Sequence, residues 1–324
     1  MEAIVISPTV FTEWVGISSR VERAVWSYWS KPMADGSGSR WLEPRHHLLS
    51  WVLSLETARR HFGTTALVTD ASGAALLVEG LGLQFDDVST QLDGLAEAEA
   101  DWWGLGKLVA YGSQREPFIH IDSDVYLWSP LPERLVTAPV LGQNSEVFVP
   151  GSSSYKPDML ETALVGGWLP EEWLEIRKLS TPALEAVCCG IVGGTDVGFL
   201  AHYAAQAIEL VNHHGNQSGL KQLKDRAEHM ILVEQFLLWA CLKYHSANPS
   251  SKFQDIGIEY LFRTEKHAYR GSAVSAYTHL MGPAKCNRLI ANRLENRVRR
   301  QFPDLAARVD QLAGRGDRLG STDA

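Results

Sequence analysis

Short apolar runs alternate with helical stretches through the first 128 residues, and this alternation limits the fold more than any other feature. AIVIS (3–7), TTALVTD (64–70), FDDVSTQLD (85–93) and PFIHIDSDVYLWSPLP (117–132) read as strands, rich in β-branched and aromatic residues. Between the later runs, HHLLSWVLSLETARRHFG (46–63), GAALLVEGLG (73–82) and AEAEADWWGLGKLVAYG (96–112) read as helices, the first stopped by Gly63. The order β, α, β, α, β, α, β predicts an α/β sheet with parallel connections. After one further strand at LVTAPVLGQNS (135–145) the pattern turns helical, at about 157–165, 196–213, 221–244 and 284–301, with a glycine-rich break at CCGIVGGTD (188–196). We expect one catalytic domain over 1–313, with a nucleotide-binding half to about 150, an acceptor-side half beyond it, and a disordered tail at 314–324.

The run from Pro117 departs from its own pattern. Asp122 and Asp124 interrupt an apolar strand, with His120 two residues earlier. Alternation would point all three to one face. Neighbouring carboxylates in a buried place resist ionisation together, and a divalent cation removes the conflict. Mg²⁺ and Mn²⁺ take oxygen ligands, commonly one or two carboxylates with water and substrate phosphates completing the shell. In open α/β sheets such ligands sit beyond the carboxyl ends of the strands. The same acids could instead cap the following turn or pair with arginines.

Four other segments accompany this one in a fixed order: Lys107 in WWGLGKLVAY, Gly190 in CCGIVGG, Glu234 and Gln235 in LVEQFLL, and His279, Gly282 and Lys285 in THLMGPAK. Together with IDSDVYLWSPL they make the chain resemble the metal-dependent GT-A glycosyltransferases, most of all the retaining glycogenin and bacterial galactosyltransferase type. The terminal HxxGxxK is the most specific element. The chain departs from that pattern at Cys188 and Cys189, at Glu234 where the family carries aspartate, and at Cys286 and Asn287 after the lysine.

The resemblance implies a Rossmann-like mixed sheet flanked by helices, and transfer of a hexose from a nucleotide diphosphate sugar, a UDP-sugar by expectation, to a glycan, peptide or small-molecule acceptor. It implies Mn²⁺ or Mg²⁺ held by Asp122, Asp124 and His279, with Lys285 on the diphosphate. Gly190, Gly282 and Lys107 would border the donor, and Glu234 and Gln235 would lie under the sugar. Asp70, ending its strand, is placed for base or ribose by analogy with other strand ends, and Asp196 for sugar or acceptor; each would serve equally as a helix cap.

Two other classes fit parts of the sequence: a haloacid dehalogenase-type phosphatase with Asp122 as nucleophile, and a non-catalytic nucleotide-sugar-binding module. A formal net charge of −8 argues against nucleic acid as partner. MEAIVISPTVFTEWVG lacks the features of a signal peptide and no apolar run spans a bilayer, so a cytoplasmic location is expected. The four cysteines show no zinc-type spacing and read as core thiols, and most of the eleven tryptophans as core.

Overall fold

The computed structural model describes residues 19–35, 41–151, 154–179, 181–271 and 276–319. The expected strand at 3–7 lies outside them. Seven strands form one mixed sheet: β1 (Arg23–Tyr28), β2 (Thr64–Thr69), β3 (Asp87–Ser89), β4 (Phe118–Ile121), β6 (Val140–Phe148), β7 (Leu184–Gly194) and β8 (Ile258–Phe262). Two short strands, β5 (Val125–Leu127) and β9 (Tyr277–His279), pair apart from it. The order across the large sheet is β3-β2-β1-β4-β7-β6-β8. β1 through β4 run parallel, β7 runs antiparallel to both neighbours, and β8 is parallel to β6. The α/β class with a mixed sheet flanked by helices is therefore the observed one, and the second half is the more helical, as expected.

The chain builds outward from β1 through β2 to β3, then returns to place β4 on the other side of β1. In open α/β sheets such a reversal marks the carboxyl ends of the flanking strands, here β1 and β4, as the place where ligands bind. Alternation along each strand feeds two cores. Val25, Val68, Phe118 and Val192 pack beneath the Leu105–Ser113, Val197–Asn212 and Leu237–Ala247 helices. Trp26, Leu67, Ile119 and Ile191 face the Pro44–Ala58 and Arg288–Gln301 helices and part of Pro303–Leu319.

Several expectations change. β1, RAVWSY, is a strand that the sequence pattern did not single out. The helix at 96–112 is confined to Leu105–Ser113. The glycine-rich break is the end of β7, an 11-residue strand. Its glycines answer to close packing: a Cβ on Gly193 would lie 2.0 Å from the Phe118 carbonyl oxygen, and Gly194 has φ 145° against Pro139. The final helix runs on to Leu319, into the segment expected to be disordered. Cys286 is exposed, whereas the other three thiols are core.

Candidate metal and diphosphate site

The apolar run from Pro117 is not one strand. β4 stops at Ile121, the Val125 amide donates to the Asp122 carbonyl at 2.9 Å, and this turn redirects the chain into β5. Strand alternation therefore does not align Asp122 with Asp124. The turn does, because β5 pairs with β9 and sets Val125 opposite His279. Ligand atoms of Asp122, Asp124 and His279 all lie within 4.8 Å of one another, an arrangement compatible with a divalent metal.

Beyond His279 the chain turns at Gly282, whose φ of 48° is left-handed, into a 3₁₀ turn over Gly282–Cys286. This brings the Lys285 ammonium to 2.5 Å from Asp124 Oδ2. Trp41 covers the lysine from the other side, with the ammonium 5.7 Å from its ring centroid. Lys107, on the Leu105–Ser113 helix, bridges Asp122 Oδ1 at 2.9 Å and Glu234 Oε1 at 2.5 Å, and donates to the Cys189 carbonyl at 3.3 Å. Three carboxylates thus face two ammoniums, leaving one negative charge before any imidazole is protonated.

Glu234 is fully buried within a single π-helical turn, Leu232–Phe236, a geometry that often marks functional positions. Its Oε1 also accepts from the Tyr111 hydroxyl at 3.2 Å, while Oε2 has no hydrogen-bond partner. Gln235 Oε1 accepts from the Tyr155 hydroxyl at 2.5 Å.

Gln143 orients the His279 ring. Its Nε2 donates to Asn144 Oδ1 at 3.0 Å, so its Oε1 is the acceptor of two donors, the Tyr277 hydroxyl at 2.5 Å and His279 Nδ1–H at 2.7 Å. With Nδ1–H so engaged, the neutral form of the ring would present a lone pair on Nε2. That nitrogen lies 3.4 Å from Asp124 Oδ1, a buried carboxylate oxygen that lacks any hydrogen bond. A carboxylate oxygen and a ring nitrogen brought together, the ring oriented by an outer hydrogen bond, are compatible with a metal-ligand pair. Nothing drew attention to Gln143 in the sequence beyond its being polar within the apolar strand VLGQNS.

The register explains how Gln143 reaches inward. Gly142 pairs with Val192 and Asn144 with Cys188, so β7 carries two extra residues opposite Gln143. This bulge lies at Gly190, where a Cβ would come within 2.4 Å of Gln143 Oε1 and 2.6 Å of the His279 ring. Gly190 therefore makes room for His279, and its carbonyl accepts from the Asp122 amide at 3.0 Å.

Burial pushes the Asp122 carboxyl up to about 6, against the pull of Lys107. Burial opposes ionisation of Asp124 as well, but Lys285 and His279 outweigh it and hold that carboxyl well below its usual range. Lys107 is buried too, yet Asp122 and Glu234 raise its ammonium well above the ordinary lysine value. His120 lies beneath the pair with its Nε2 on Ser27 Oγ at 2.9 Å; burial, then Lys107, keep it neutral.

Asp70 and Asp196 act as caps. Asp70 Oδ1 accepts from the Gly73 amide at 2.7 Å, and Oδ2 from the Ser30 amide and hydroxyl at 2.8 and 2.7 Å. Asp196 caps the Val197–Asn212 helix through the Phe199 amide at 2.9 Å. It follows Gly194, which pairs with Phe118 at the start of β4, so it sits at the opposite end of that strand from Asp122.

Among the described residues no helix is long and apolar enough to cross a membrane. No curated protein matches the chain. A solved structure titled "PaToxG Glycosyltransferase" is similar over 66% of this chain and 69% of its own, at 11% identity and a TM-score of 0.27, a likeness too weak to carry an argument. A family model matches residues 22–312, which include every residue of the site described above, and the chain belongs to that family, a family of unknown function (DUF6734).

Proposed function

We propose that the chain is a metal-dependent glycosyltransferase that moves a hexose from a nucleotide diphosphate sugar, with UDP as the nucleotide, to an acceptor hydroxyl. The observation that carries this reading is the unbonded Asp124 Oδ1 facing His279 Nε2, with Asp122 and two lysines beside them. The order of sequence elements from Lys107 to Lys285 supports it.

Asp122, Asp124 and His279 fit Mn²⁺ or Mg²⁺, two carboxylates and one imidazole leaving the rest of the shell to phosphate oxygens and water. When bound, the ion supplies charge stabilisation for a departing diphosphate. The residues do the remainder. Lys285 neutralises Asp124 and would turn onto diphosphate oxygens as negative charge develops there. Gly282, with open space where a Cβ would be, lets backbone approach the same oxygens. Lys107 locks Asp122 in place and is itself pinned by Glu234 and the Cys189 carbonyl, so these groups orient the ligand carboxylate. Glu234 and Gln235 border the sugar side, and Asp70 and Gly190 the donor side; the cap geometry makes Asp196 the least suited of the proposed contacts.

The test is hydrolysis of UDP-hexoses by the purified chain with Mn²⁺, with chelator, and as Asp124→Asn. Release of hexose that needs Mn²⁺ and disappears in the variant supports the proposal. Metal-independent release, or release of inorganic phosphate from phosphomonoesters instead, would refute it.

A further inference from the structure

A second group of ligand-type side chains lies across the core from this site, where three helices meet. Glu172 stands in the first turn of Glu171–Arg177, His202 in the middle of Val197–Asn212 and His245 near the end of Leu237–Ala247. Glu172 Oε1, His202 Nε2 and His245 Nε2 form a triangle with sides of 2.7, 3.2 and 3.1 Å. Donors about 2.0–2.1 Å from a tetrahedral ion lie roughly 3.3 Å from one another. The triangle is thus close to the ligand spacing of such an ion and contracts slightly without one.

The histidines are held for the task. Ser251 Oγ lies 2.7 Å from His245 Nδ1 and accepts from the Phe253 amide at 2.9 Å, fixing the ring through its outer nitrogen. Phe253 packs against both imidazoles, at centroid distances of 5.4 and 5.3 Å, and the two rings cross at 73°. They are therefore not stacked, and both bring Nε2 to the same point. Glu172 is only 5% exposed, an expensive position for a carboxylate whose partners are two imidazoles without a further cation. The three open onto a cleft of about 430 Å³ also lined by Gln206, Asn248 and Lys252.

We infer that Glu172, His202 and His245 bind a transition-metal ion, Zn²⁺ by preference, with a coordination position left open to this cleft. Two imidazoles and one carboxylate suit zinc, and three protein ligands leave a fourth place for water or a ligand. The other site, with two carboxylates and one imidazole, is the better match for Mn²⁺ or Mg²⁺. The two centres share no residue, so either assignment can fail without the other.

The experiment is Zn²⁺ titration of the chelator-treated full chain by calorimetry, with Co²⁺ absorption in the visible as a report of tetrahedral coordination. The inference predicts one Zn²⁺ and a tetrahedral Co²⁺ spectrum in both the wild type and Asp124→Asn. His202→Ala should weaken that binding more than about 100-fold, since loss of even an outer partner costs about 10–100-fold. His202 is half-buried at the cleft, and His245→Asn with a measured melting curve guards against misfolding of either variant. Equal Zn²⁺ affinity in folded His202→Ala and His245→Asn, or absence of a tetrahedral Co²⁺ spectrum, would overturn it.

Discussion

At Asp124 one carboxylate oxygen is neutralised by Lys285 and the other faces His279 Nε2 without a hydrogen bond. The roles of its neighbours follow from that asymmetry and can be separated by substitution. Lys285→Ala should leave Mn²⁺ binding in place while lowering donor cleavage by roughly 100- to 1000-fold, about 2.7–4 kcal/mol, the usual effect of removing one preorganised electrostatic contact. Full cleavage by the variant at saturating Mn²⁺ would remove the lysine from the diphosphate. Gln143→Leu removes the acceptor that keeps the proton on His279 Nδ1. We predict a 10- to 100-fold loss of Mn²⁺ affinity with little loss of fold, read by calorimetry; unchanged affinity would mean that the ligand nitrogen needs no such steering.

At the scale of elements, β7 and the turn after β4 decide the site. Gly193 packs its Cα against the backbone of β4, so Gly193→Ala should cost about 3 kcal/mol in a denaturant titration, at the upper end for overpacking because the obstacle is backbone. A neutral result would mean that β7 and β4 are more loosely joined than their register implies. These elements also show what could be read from the sequence. Asp122, Asp124, His279, Lys285 and Lys107 were legible because charged or imidazole groups interrupted apolar runs in a recognisable order. β7 was not, because glycines required by strand-to-strand contact look the same in a sequence as glycines that break structure. Gln143 escaped because its position against His279 depends on a bulge in the neighbouring strand, and β1 because RAVWSY is buried on both faces and lacks a simple alternation. Glu172, His202 and His245 are separated by 30 and 43 positions, with no local spacing to join them.

For the whole molecule, the reversal of strand order between β1 and β4 gathers the ends of distant segments at one edge, and several ionisable groups are buried to do so. His47 is one. Burial, and then the positive charge of Lys285, bring its pKa down to about 4. Its depressed value means that the folded state binds fewer protons than the unfolded chain between about 6.5 and 4. Its contribution to stability is complete above about pH 6.5 and is lost as pH falls through 4, amounting to about 3 kcal/mol. His47→Gln, which can still accept from Trp51 Nε1–H, should flatten the acid limb of a stability–pH curve over this window; an unaltered limb would show that His47 protonates in the fold at its ordinary pKa. The central claim, that the group at the carboxyl end of β4 holds a cation and a nucleoside diphosphate together, is tested most directly by thermal unfolding with Mn²⁺, UDP, both, or both with chelator. With each at about 100 times its dissociation constant, binding of UDP to the metal-loaded site should add roughly 2.7 kcal/mol to stability, visible as a rise in Tm that chelator abolishes and Asp124→Asn lacks. An equal rise with UDP alone, or none with both, would contradict the account.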